Sequence, residues 1–215
     1  MNGHQTATIP LFPLGVVLFP GITLPLHIFE ERYRVMISDC LSGRKEFGVV
    51  YHDKSGMRNV GCIAGIERVI KEYDDGRSDI VTVGSQRFEI VKVYDEGLYL
   101  RADVSLIDDE DESPDELFPL KEQGIRLIDS YLTLRGEEMD SDAVTEMPPS
   151  EISFVLASIE FVPTDERQEM LETRLTSRRL RRTSEILEPA IRREREIQSI
   201  RDRLGMEDGM SNLEN

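Results

Sequence analysis

Two periodicities divide the chain. Up to about Ile107 apolar residues come in short runs or alternate with polar ones; beyond Leu120 they recur every three or four positions. Leu98, Leu100, Ala102, Val104 and Leu106 alternate as a half-buried strand requires. "ATIPLF" starts a strand, "FGVVY" (Phe47 to Tyr51) is a second, and "GCIAGIERVIKEY" sets Cys62, Ala64 and Ile66 on one side. Val69 and Ile70 then break the alternation, which predicts a bend or bulge in a long strand. Asp75-Gly76 marks a hairpin, and Gly84-Ser85 separates two β-rich runs, the second carrying Phe88, Ile90, Val91 and Val93. A single early helix interrupts this set. Its face is Phe29, Tyr33, Met36 or Ile37, and Cys40 or Leu41, and Gly43 is its terminator.

The later helices read as follows. Leu120, Gly124, Leu127 or Ile128, Tyr131 and Leu134 share a face that ends before Gly136. A polar loop through "EEMDSDAVTEMPPS" leads to "EISFVLASIEF", nearly apolar all round and therefore central. Thr164 is placed to cap the next helix, with Asp165 and Glu166 at its positive end. Thr176 or Ser177 caps a longer final segment through Leu180, Leu187, Ile191 and Leu204, kinked or broken at Pro189. Strands first and helices afterwards give an α+β chain: a β-rich domain over 8–110, a helical bundle over 117–204, and a disordered tail over 205–215. Many short strands with glycine turns and one early helix favour a small barrel over a parallel α/β sheet.

Between the early strands lies "LFPLGVVLFPGITLPLHIFEERYRVMI" (positions 11 to 37), greasy enough to suggest a membrane or export segment. Pro13, Pro20 and Pro25 rule out one continuous helix, and no Lys or Arg precedes Arg32 to form a basic n-region. The stretch therefore reads as short extended pieces and turns, with Pro20-Gly21 fitting a type II turn.

Charge sharpens the division. The 215 residues carry a formal net charge of −16, with 42 acidic and 26 basic side chains. Eleven arginines against seven acids stand between Arg167 and Arg203, so that stretch is locally basic while the remainder is strongly acidic. "DDEDESPDE", from Asp108 to Glu116, reads as a solvated acidic hinge without the ligand order of a calcium loop. The acidic total disfavours nucleic acid. Along the last helix Arg181–Glu185, Glu188–Arg192 and Arg192–Glu196 are spaced as i,i+4 pairs, which predicts a self-paired solvated face.

Chemistry is sparse. There is no phosphate-binding Gly-Lys-Ser/Thr loop and no dinucleotide fingerprint. His4, His27 and His52 lack zinc-ligand spacing, and none of Lys45, Lys54, Lys71, Lys92 and Lys121 lies in an apolar stretch beside a marked serine. Cys40 and Cys62 are too few for a disulfide scaffold; without a secretion signal, reduced thiols in a cytoplasmic protein are expected. Catalytic residues, metal and cofactor are therefore all expected to be absent.

"IPLFPLGVVLFPGITLPLHIFEERYRVMISDCL" resembles the opening of the substrate-binding, N-terminal domain of Lon proteases. "FGVV", "VGCIAGIERV", "GSQRFEI" and "DERQEMLETRLTSRRLRR" follow in the family's order, from about Ile9 to Leu187. The resemblance implies a PUA-like β pseudobarrel followed by a helical bundle. It also implies noncatalytic recognition of unfolded or degron-bearing polypeptide, or of a protein partner, without nucleic acid or membrane. The ATPase and Ser-Lys protease signatures are missing, so a stand-alone member is expected. Leu18, Phe19, Ile22, Leu24, His27, Ile28 and Phe29 are the candidate peptide-contact residues, and an exposed strand edge would add backbone bonds. The competing readings are a scaffold for one folded partner and a hydrolase whose site assembles only in three dimensions.

Overall fold

A computed structural model describes residues 6–138 and 140–204. It holds a β-sheet region followed by a helical bundle. The strands are β1 (Thr6–Leu14), β2 (Thr23–Ile28), β3 (Glu46–Asp53), β4 (Gly56–Glu72), β5 (Ser78–Tyr94) and β6 (Arg101–Ile107). The helices are α1 (Glu31–Ser42), α2 (Pro114–Leu134), α3 (Ser141–Glu146), α4 (Pro149–Ser158), α5 (Thr164–Glu172) and α6 (Thr176–Leu204). The expected tail over 205–215 lies outside the described residues.

β1 pairs with β3 in parallel, Leu11 opposite Gly48 and Leu14 opposite Tyr51. Parallel neighbours need a long crossover, and the prolyl opening supplies it. The chain leaves β1, crosses the sheet, pairs along β5 as β2, and returns through α1 to β3. Pro20-Gly21 makes the expected turn: Gly21 has φ 76° and the Ile22 amide donates to the Phe19 carbonyl at 3.2 Å. The loop then lies directly on β5. Gly21 N–H donates to Gly84 O at 2.8 Å and Gly84 N–H to Ile22 O at 3.0 Å, so the two backbones touch. A Cβ at Gly84 would stand 2.1 Å from the Phe19 carbonyl oxygen, which only glycine avoids.

The remaining pairings, β3–β4, β4–β5, β5–β6 and β6–β1, are antiparallel and run in a cycle with β1–β3. Strands in such a ring bury both faces where a helix also covers the outside. Phe47, Gly48, Val49 and Val50 of β3 are all buried. Phe47 and Val49 meet α1 through Tyr33, Met36, Ile37 and Cys40, whereas Val50 joins Ile9, Leu11, Phe88, Ala102 and Val104 in a second cluster. The expected irregularity in β4 is real, with register shifts between Ile66 and Arg68 and between Val69 and Lys71. Gly84-Ser85 does not end a strand; β5 is continuous there, and its register with β4 shifts between Cys62 and Ala64.

Helices α2, α4 and α6 surround a third cluster of Leu127, Ile128, Ile152, Leu156, Ile159, Leu180, Leu187 and Ile191, whereas α5 turns Met170 and Leu171 to the core shared with the sheet. The helices differ from the sequence reading in four places, three in the bundle and one at α1. The polar loop holds the short helix α3, started when Asp140 accepts from the Ala143 amide at 3.1 Å. Thr164 is the first residue of α5 rather than its cap, because Pro163 occupies the cap position. α6 runs through Pro189 as one element. Phe29 precedes α1 and is 60% exposed, so it does not contribute to that helix's buried face.

The acidic stretch departs most. Asp108, Glu110 and Asp111 are exposed as expected, yet Asp109 and Glu112 turn inward and fasten strands to helices. Asp109 forms ion pairs with Arg87 of β5 and Arg179 of α6, the latter through Nη1 at 2.7 Å and Nη2 at 2.6 Å. Arg87 Nη1 also donates to the Leu171 and Thr173 carbonyls at 3.0 and 2.7 Å, closing the C-terminal end of α5. Arg179 is completely buried, donates to Ser153 Oγ at 2.9 Å and lies 4.3 Å over the Phe154 ring. Glu112 accepts from the Ser177 amide at 3.1 Å, so a carboxylate 65 residues away caps α6. The segment is a strap, because two buried guanidiniums require a counter-charge that a solvated hinge could not give.

Burial alone would raise the Asp109 pKa. The Arg179 hydrogen bonds and the charges of Arg179 and Arg87 outweigh that, holding it below the ordinary aspartate value. A depressed folded-state value gives stability that is present above the unfolded pKa and lost as pH falls through the folded one. Asp109→Asn should therefore lower stability at neutral pH by about 3–5 kcal/mol, since it strands two buried charges. Urea unfolding should show this loss, together with a flatter acid limb than wild type below the ordinary carboxylate range.

Candidate functional site

The seven residues singled out in the prolyl opening do not form one surface. Leu18, Phe19 and Ile28 are at most 2% exposed, within the core shared by sheet, α1 and α4. Phe19 packs on Phe154 of α4, the two rings tilted with centroids 5.9 Å apart, so it ties the prolyl loop to the helices and leaves no wall for a partner. Ile22 and Leu24 are partly buried against the same core. Leu18, Phe19 and Ile22 face inward from the prolyl loop pressed on β5, whereas β2 alternates, turning Leu24, Leu26 and Ile28 to the core and Thr23, Pro25 and His27 to solvent.

Only His27 and Phe29 remain outside, and they form a ledge beside the β4–β5 hairpin. His27 Nδ1 lies 2.6 Å from Asp79 Oδ1, and Tyr73 donates to Asp79 Oδ2 at 2.8 Å. The His27 bond first, then that of Tyr73, hold the Asp79 carboxyl below its usual value. The His27 ring stacks with Phe29 at 6.0 Å, and Lys71 and Arg77 lie over the Tyr73 ring at 4.4 and 5.0 Å. This is a shallow surface of aromatic faces and cations. β2 is also the end strand of the sheet order, with Pro25 in its middle. Proline supplies no N–H to an incoming strand, so this edge is poorly suited to strand addition.

A larger concavity, about 1210 Å³, opens where β1, β4, β5 and β6 approach the C-terminal end of α1. Ile9, Ile63, Val104 and Leu106 give it apolar wall, and Leu106 is 38% exposed. Arg44, Glu46, Gln86, Tyr99 and Arg101 add polar groups. Tyr99 donates to Asp39 Oδ2 at 2.8 Å and Gln86 Nε2 to Asp108 Oδ1 at 3.1 Å, so two of these groups are held in place. Apolar surface with a few fixed polar groups is what a ligand-binding concavity needs. The depression between α5 and α6 is smaller, about 920 Å³, and is walled chiefly by arginines and glutamates. Some of those are already engaged, Arg181 with Glu116 and Arg182 with Glu166 and Glu185.

The groove along Ile9, Ile63 and Leu106 has one cysteine in its lining. Cys40 lines it, but burial pushes its thiol up to about 11, so it stays protonated and unreactive; Cys62, deeper, is pushed up to about 12. Among the described residues no three His, Cys, Asp or Glu side chains are grouped to hold a metal ion, and no helix is long and apolar enough to cross a membrane. The sequence reading missed this groove because its walls come from separate strands. The alternation from Leu98 to Leu106 identified a face, but the strand begins only at Arg101, Leu98 lies exposed before it, and the Leu106 end stays open.

Comparison with known proteins places this architecture. Residues 8–189 match the family model described as the ATP-dependent protease La (LON) substrate-binding domain. Lon protease of Flavobacterium johnsoniae is 29% identical over 170 residues, 74% of this chain and 20% of that protein. Lon protease 2 of Herpetosiphon aurantiacus is 30% identical over 204 residues, 89% of this chain and 25% of that protein. The chain thus spans a fifth to a quarter of the length of these relatives. Among solved structures, the N-terminal domain of Mycobacterium avium complex Lon protease superposes with a TM-score of 0.70 at 20% identity, covering 84% of this chain and 98% of that one. The Lon N-terminal domain protein from Xanthomonas campestris gives 0.63 at 24%, covering 82% and 96%. These two likenesses establish the fold.

The burial contrast makes a direct prediction. Phe19→Ala should cost about 3–5 kcal/mol by emptying the joint with Phe154. Phe29→Ala should stay within about 0.5 kcal/mol of wild type. Chemical denaturation of the two variants checks both values.

Proposed function

Because the chain belongs to the ATP-dependent protease La (LON) substrate-binding domain family, we propose that it holds polypeptide noncovalently, in the groove bounded by Ile9, Ile63, Val104 and Leu106. The observation that carries this reading is the groove itself, a large concavity with apolar wall and positioned polar groups in a chain of that family. Unfolded or degron-bearing segments suit it, since they expose the apolar side chains that folded proteins bury. Arg44 and Arg101 stand beside Asp39 and Glu46, which favours partners of mixed charge, and the net charge of −16 disfavours phosphate backbones. Pro25 on the β2 edge favours side-chain contact over an added strand. The cyclic strand pairing supports describing the sheet as a PUA-like pseudobarrel, whose open end would be the binding mouth.

Binding of a fluorescently labelled, permanently unfolded polypeptide tests the reading by anisotropy. Leu106→Asp should weaken binding at least about tenfold, as loss of an apolar anchor does, while Phe29→Ser leaves it unchanged. The polypeptide should be recovered at full length. Unchanged affinity in a folded Leu106→Asp variant, or selective loss in Phe29→Ser, would move the site away from the groove.

A further inference from the structure

We propose that the C-terminal half of α6 pairs, antiparallel, with the same stretch of a second copy of this chain. The helix carries two apolar stripes. Leu180, Leu187 and Ile191 face the bundle, and Gln198 Nε2 donates to the Leu134 carbonyl at 3.0 Å on that side. The other stripe runs through Ile186, Ala190, Arg193, Ile197 and Ile200, spaced alternately by four and three residues. This 3.5-residue repeat is the spacing of a seam between two helices. At 100° per residue, Ile197 and Ile200 point roughly 130° away from Leu187 and Ile191. Ile186 is partly covered by the bundle, but Ile197 is 37% exposed and Ile200 50%. The seam therefore becomes open to solvent toward the helix end.

Charge selects the occupant. Glu194 and Arg201 flank one side of the stripe, Glu196 and Arg203 the other. Among the described residues none of the four forms an ion pair with this chain, and Arg203 bonds only to Ser199. The i,i+4 pairs expected along α6 do not form either. Arg181 pairs with Glu116, Glu188 accepts from Gln123, and the exposed Arg192 forms no ion pair among the described residues. Setting Ile197 of one copy against Ile200 of the other brings Glu194 opposite Arg201 and Glu196 opposite Arg203. The two-fold axis repeats both pairs. A parallel arrangement would match only Glu196 with Arg201. Antiparallel pairing also places the two bundles, each holding the N-terminal half of its α6, at opposite ends of the seam. Arg193 within the stripe and the short overlap make the association weak and concentration-dependent.

Sedimentation velocity of the full chain, from low micromolar to near-millimolar concentration, tests this. Wild type should pass from monomer to dimer, and Ile197→Glu with Ile200→Glu should remain monomeric with an unchanged circular dichroism spectrum and melting temperature. Glu194→Arg should weaken the dimer by setting arginine against arginine twice; adding Arg201→Glu should restore it. Monomer throughout in wild type, a dimer indifferent to the isoleucine changes, or a double charge swap no tighter than the single would each overturn the proposal.

Discussion

Arg179 has no access to water and Arg87 has almost none, so each would be strongly destabilising without a counter-charge. Asp109 faces both, while Ser153, Thr176 and the carbonyls of Leu171 and Thr173 take the remaining donors. One carboxylate thereby fixes β5, the end of α5 and the start of α6 relative to one another. Phe154 lies over the Arg179 guanidinium and against Phe19, so the same junction reaches the prolyl loop. The sheet and the bundle are mutually positioned by this knot of charge, not only by apolar contact.

The prolyl opening has a topological task. β1 and β3 lie side by side in the same direction, and the chain between them must cross the sheet before returning. Prolines keep that crossing extended, Gly84 lets it lie directly on β5, and Leu18, Phe19 and Ile28 seal it down. A stretch greasy enough to suggest a membrane is instead consumed in the core. The large groove forms elsewhere, where the strands converge on the C-terminal end of α1.

Sequence periodicity carried the order of strands and helices, the bulged β4, the Pro20-Gly21 turn and the central character of α4, because each depends on neighbours within a few positions. What it missed depends on distant partners. Asp109 and Glu112 look like any residues of a solvated acidic run; only the buried Arg87 and the amide end of α6 give them roles. His27 and Phe29 were singled out together with Leu18 and Phe19, yet the first two stay exposed while the last two are buried, Phe19 against Phe154 of the distant α4. The groove was invisible for the same reason, since Ile9, Ile63 and Leu106 stand on three strands that only the ring brings together. Spacing likewise suggested ion pairs along α6, but acids on α2 and α5 claim Arg181 and Arg182 first.

The strap, the crossover and the ring frame the groove, and the two cysteines near it, Cys40 and Cys62, are buried. The most direct measurement is site-specific photocrosslinking, with a benzophenone side chain placed at Leu106 or, separately, at Phe29, in the presence of an unfolded polypeptide. The account predicts adducts from position 106, carrying the polypeptide at its full mass, and little from position 29. Adducts confined to position 29, or a polypeptide shortened by the protein alone, would contradict it.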